Sequence, residues 1–172
     1  RNNLNNYNRN SIEDMYSKNL EYLIDITIKD INSFEDTLII NGIEGEFTKD
    51  QNRYFDVLIA TILLYNKLNS NSFKNYYMSF KKNSKFNKLT GGNYIEDIEI
   101  ISKNNINYNI DLNSVLDLLL FTSIKKNLKP EAIPKSIMFI YNKDENINFI
   151  DFKDINEKWI NSGFEVPKIK FW

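Results

Sequence analysis

The chain contains neither cysteine nor histidine. Structural zinc, thiol catalysis, imidazole acid/base work and Ser-His-Asp triads are therefore excluded within this segment. Carboxylates, hydroxyls, amides, lysines and the backbone remain as its chemistry. Proline and glycine are sparse, at three and five residues. Long hydrophobic runs are also missing. Apolar runs such as "VLDLLLF" (Val115 to Phe121) are far too short for a membrane span, and no basic-then-apolar leader opens the chain. A soluble, intracellular protein without membrane contact is expected. The first residue is Arg1, and Trp172 falls inside a strand-like run, so we expect a fragment of a longer protein.

What is present suffices for one substantial core, since 42% of the 172 residues are hydrophobic and 14% aromatic. Heavy use of asparagine, lysine and isoleucine, as in "SKNNINYNI", reads as the codon bias of an AT-rich genome. Apolar residues stay interleaved at regular spacing, unlike a prion-like tract. The net charge of −1 hides an asymmetry: no acid lies between Asp56 and Glu96, whereas Lys67, Lys74, Lys81, Lys82, Lys85 and Lys88 do. Such a segment can form a basic face, although scattered lysines are more often only solvated.

Periodicity gives the organisation. Residues 1–32 read as a polar arm and a leading helix, capped at Ser11 with Asp14 and striped by Met15, Leu20, Leu23, Ile24 and Ile28. Residues 33–172 read as the main domain. "TLII" (Thr37 to Ile40) is a strand that runs into a loop at "NGIEGEF", and a helix with few polar faces follows from about Asn52 to Leu68. "NYYMSF" is a second strand, Gly91-Gly92 a turn, and Tyr94 to Lys103 a helix. Asp111 or Asn109 caps a further helix that turns Leu112, Val115, Leu116, Leu119, Leu120 and Ile124 inward and stops before Pro130. "SIMFIY" is a continuous apolar strand. A helix over Asp151 to Ser162 carries Trp159 inward and stops at Gly163, and "PKIKFW" begins a last strand. Strands alternating with helices, without hairpin signals, predict an α/β fold: a three-layer, doubly wound, mostly parallel sheet of Rossmann-like type.

Several pieces together resemble the von Willebrand factor A (vWA) fold. More closely, they are similar to the A domain of a Ro/TROVE-related family of proteins from plants, fungi, bacteria and giant viruses. "IPKSIMFIYNKDE" followed by "INEKWINSGFEVPKIKFW" matches that family's strand, acidic loop, helix and Gly-aromatic-x-x-Pro-x-x-x-Phe-Trp ending. "FKNYYMSFKKNSKFNKL" resembles its second strand and loop, and "NIDLNSVLDLLL" its helix after a threonine-bearing loop. In the vWA fold the first strand ends in Asp-x-Ser-x-Ser, and later loops add a Thr and an Asp to hold a divalent cation. A hard cation such as Mg²⁺ prefers such oxygen ligands.

That pattern is not kept here. Aligning Gly45 with the glycine of the motif puts Gly42 at the acidic position and Glu44 and Glu46 at the serines; a one-residue shift brings only Asn41 to the first position. Ile110 stands at the threonine, flanked by Asn109 and Asp111, and Tyr141 or Asn142 stands where the last loop gives Ser-Asp. Glu44, Glu46, Asp111 and Asp144 would share one sheet edge. Glutamates, however, are too long for places where serines sat against the backbone. The expectation is a lost metal site and no cofactor.

No nucleophile with a base, no phosphate-binding loop and no dinucleotide fingerprint is present, so catalysis is not expected; "NGIEGEF" has only two spaced glycines. The reading is a structural or protein–protein interaction module, contacting protein partners of a larger assembly through Asn41, Glu44, Glu46, Asp111, Asn142 and Asp144. Its setting is the cytoplasm, or a virion if the source is viral. RNA is the alternative partner, bound by Lys81, Lys82, Lys85 and Lys88 in the Lys67–Lys88 segment. Against it, Tyr77, Met78 and Phe80 belong to a core strand.

Overall fold

A computed structural model of the chain describes residues 15, 18–19, 21–25, 27, 36–42, 52–80, 84–103, 110–141, 147–148 and 152–172. Strand β1 (Thr37–Gly42) leads to helix α1 (Asn52–Leu68), β2 (Tyr76–Phe80), β3 (Ser84–Lys88) and α2 (Tyr94–Lys103). Then come β4 (Ile110–Asp111), α3 (Leu112–Lys125), a single 3₁₀ turn at Pro130–Ala132, β5 (Ser136–Tyr141), β6 (Ile147–Asn148), α4 (Phe152–Asn161) and β7 (Lys168–Phe171). Five strands form one sheet in the order β3-β2-β1-β5-β7, all parallel except β3.

Strand β1 is buried along its whole length because helices cover both sheet faces. Successive side chains point to opposite faces. Leu38 and Ile40 therefore join Val115, Leu116, Leu119, Ile155 and Trp159 from α3 and α4. Ile39 instead meets Leu58, Ile62, Tyr94 and Ile101 from α1 and α2. The result is the expected three-layer α/β arrangement, with one apolar cluster on each side of the sheet. The leading helical residues belong to the second cluster through Ile24, while Met15 and Leu23 of the foreseen stripe are exposed.

Helix α3 starts where its chemistry directs. Asp111 sits in extended backbone and its side chain accepts from the Asn113 N–H, leaving an N-cap ahead of the apolar run. Five of its six foreseen inward residues are buried. Ile124 is exposed instead, and Ser123 takes the inward place, its hydroxyl donating to the Leu119 carbonyl at 2.8 Å.

Two features differ from the sequence reading. The sheet does contain a hairpin, β2 with β3, paired antiparallel from Tyr76↔Lys88 to Phe80↔Ser84. Its connection is Lys81-Lys82-Asn83, which lacks the glycine or proline that would announce a turn. The second is a two-residue parallel pairing of β4 with β6, too short to leave a periodic signal.

Candidate functional site

In an open α/β sheet, the crevice for ligands or partners opens where neighbouring strands send their connections to opposite faces. Here that point lies between β1 and β5. From β1 the chain passes through α1 on one face to β2, whereas β5 is flanked by α3 and α4 on the other. At the carboxyl ends of the two strands Gly42 stands beside Tyr141, and Asn41 beside Ile140.

The β4–β6 pairing brings a third segment to this edge. Ile110 pairs with Ile147 and Asp111 with Asn148, so the residues entering α3 are tied to the stretch leaving β5. Asp111 is half-buried, and both its carboxylate oxygens are engaged. Oδ1 accepts from the Asn113 N–H at 3.0 Å and Oδ2 from the Ser114 hydroxyl at 2.6 Å. A carboxylate there also complements the positive end of the α3 dipole.

Asn41 lies within the sheet. It is 2% exposed, next to Ser79 of β2, which is 1% exposed. Ser79 Oγ accepts from Asn87 Nδ2 of β3 at 2.7 Å. Asn41, Ser79 and Asn87 thus form a buried polar row behind the crevice, on the face of α1 and α2. Sequence reasoning singled out only Asn41. The available signal for the others was a polar residue inside each apolar strand, Ser79 in "YYMSF" and Asn87 in "SKFNK".

Glu44, Glu46, Asn142 and Asp144 lie outside the described residues, as do Lys81 and Lys82. Among the described residues no group of three or more acids is arranged to hold a metal. Of the basic segment, Lys67 is engaged by Glu21 at 3.4 Å and Asp25 at 3.7 Å. Lys85 and Lys88 are exposed on the edge strand β3, but three residues apart they project from opposite faces. Tyr77 and Met78 are fully buried. Among the described residues no helix is long and apolar enough to cross a membrane.

A mostly parallel five-stranded α/β sheet with its crevice at the β1–β5 divide defines the class. Within it, the chain belongs to the family described as domain of unknown function DUF7788, which matches residues 37–172. No curated protein and no solved structure matches it.

Proposed function

We propose that this chain is a non-catalytic structural or protein–protein interaction module, built on a vWA-like fold whose metal-ion-dependent site has been lost. The carrying observation is the side-chain inventory at the crevice. The strand ends present Gly42 and Tyr141 where a cation would need an acid, and Asp111, entering α3, is committed to capping that helix. Three chain segments still converge there, which leaves a rigid platform for a partner rather than a cradle for an ion. Glu44 and Glu46 follow β1 in the sequence and Asn142 and Asp144 follow β5, while Asn41 is buried within β1. The assembly it serves is cytoplasmic, or a virion for a viral source.

The RNA alternative has less support, because Lys85 and Lys88 do not share a face and Lys67 already has acidic neighbours. Affinity isolation of the tagged parent protein from its source, with and without nuclease, separates the readings. Protein partners are expected to survive nuclease and to be released by simultaneous charge reversal of Glu44, Glu46 and Asp144. Partners lost with the nucleic acid would overturn the proposal.

A further inference from the structure

At the opposite, amino-terminal edge of the sheet a cavity of about 180 Å³ opens between the end of α1 and the start of α2. Asn66, Lys67, Lys74, Asn75, Tyr94 and Asp97 contribute its polar groups. One of them is a buried acceptor without a donor, and another is a buried carboxylate. Asn66 is 5% exposed; its Nδ2 donates to the Ile62 carbonyl at 2.8 Å, which fixes the amide, yet its buried Oδ1 has no hydrogen-bond partner. Asp97 is 2% exposed and accepts from the Thr90 N–H at 2.6 Å, with no ion pair among the described residues. Buried acceptors without donors cost free energy, so a group that supplies donors here is favoured.

The same lining also carries cations. Lys74 is exposed beside the cavity. The Lys67 ammonium is held above its ordinary range: burial lowers it, but Tyr94, Asp25 and Glu21 together raise it further. Burial likewise pushes the Tyr94 phenol up, so it stays a protonated donor near neutral pH. A cavity of this size exceeds the roughly 30 Å³ that one water occupies. It is the volume of a small organic molecule, and its lining offers both acceptors and cations.

We propose that this cavity binds a free α-amino acid, with its ammonium against Asp97 and Asn66 and its carboxylate towards Lys74. The site and the carboxyl-edge platform lie at opposite ends of the sheet, so either can fail without the other.

Calorimetric titration of the purified chain with glycine, serine and glutamine tests this, with acetate and methylammonium as probes carrying one charge each. At least one amino acid is expected to bind saturably by the millimolar range, and acetate and methylammonium about tenfold or more weaker. Lys74→Glu, at an exposed position, should weaken binding about tenfold, as loss of a charge-assisted contact does. Asp97→Asn, which keeps an acceptor for Thr90, should abolish it. No saturable heat with any of the three amino acids overturns the proposal, as does equal binding of acetate or methylammonium. Binding that neither variant alters also overturns it.

Discussion

Asn69 clasps the first residue of the central strand from both sides: its Nδ2 donates to the Thr37 carbonyl at 2.8 Å, and the Thr37 N–H donates to its Oδ1 at 3.0 Å. This two-way bond lies just past the end of α1 and fixes where β1 enters the sheet. Beside it Thr37 Oγ1 and Ser136 Oγ are 2.7 Å apart, linking β1 to β5. All three residues are buried, so loss of the amide removes two buried hydrogen bonds to the main chain of Thr37. Asn69→Ala should cost about 1–3 kcal/mol, two hydrogen bonds at ~0.5–1.5 kcal/mol each. Urea unfolding would show this as a lower midpoint at unchanged slope. A loss under ~0.5 kcal/mol would show that the clasp does not order β1.

Asp111 separates a cap from a ligand. As an N-cap, its change to Ala should cost about 1 kcal/mol and its change to Ser or Asn much less, since each still offers an acceptor to the Asn113 N–H. A metal ligand would behave otherwise: Mg²⁺, Mn²⁺ or Ca²⁺ would raise the melting temperature and Asp111→Asn would abolish the rise. We expect no Asp111-dependent response to any of these ions in thermal unfolding. A metal-induced stabilisation lost in Asp111→Asn would refute the lost-site reading.

The ease of reading differed along the chain for physical reasons. "SIMFIY" coincides with β5 because a strand covered on both faces needs a continuous apolar run, and Asp111 announced α3 because capping is local chemistry. Strand β3 left little trace: of "SKFNK" only Asn87 is buried, with Ser84 and Phe86 half-buried, and an edge strand tolerates lysines. The β4–β6 pairing is set by the fold around it and is invisible to any window of sequence. At the carboxyl edge, strand ends and the α3 cap were legible. The polar row of Asn41, Ser79 and Asn87 was not, because its members meet only once three strands are in register. Asn66, Tyr94 and Asp97 likewise reach one cavity from two helices.

Three glycines should respond differently to alanine. Gly91 adopts φ +79°, so backbone conformation opposes the change, and the amide end of the Asn75 side chain would also have to move aside for the added Cβ. Gly163 adopts φ +82° at the end of α4 but has open space. Gly92 has neither restriction. The expected order of destabilisation is Gly91→Ala at about 2–3 kcal/mol, Gly163→Ala at about 1 kcal/mol, and Gly92→Ala within ~0.5 kcal/mol. Urea midpoints of the three variants check the order; a Gly92→Ala cost equal to that of Gly91→Ala would contradict the turn geometry.

Lys67 and Tyr94 predict an alkaline weakening. Both groups have folded-state pKa values above their unfolded ones, Lys67 because Tyr94, Asp25 and Glu21 outweigh the effect of its burial, and Tyr94 mainly through burial itself. The folded chain then holds more protons than the unfolded one in the window above about pH 10, where free tyrosine and lysine titrate. Stability from these groups is complete below that pH and is lost as pH rises through the folded values. Melting temperatures from pH 8 to about pH 11 should fall less steeply in Tyr94→Phe than in the parent. An identical alkaline limb in both would remove Tyr94 from the account.

The two tryptophans report on the packing of α4. Trp159 is 0% exposed within the cluster formed with α3 and β5, whereas Trp172 is 56% exposed beyond β7. Trp172→Phe should therefore leave a blue-shifted emission resistant to iodide, and Trp159→Phe a red-shifted emission that iodide quenches readily. Truncation of Trp159 to alanine should cost about 3–5 kcal/mol, the range for large aromatic-to-alanine changes in a core. Part of this is offset because Trp159 Nε1 is buried without a hydrogen-bond partner, and its removal relieves an unsatisfied donor. Trp159→Leu, which restores apolar volume without an N–H, should accordingly lose clearly less than Trp159→Ala. Equal losses in the two variants would mean that the filled volume carries no energetic weight at this position.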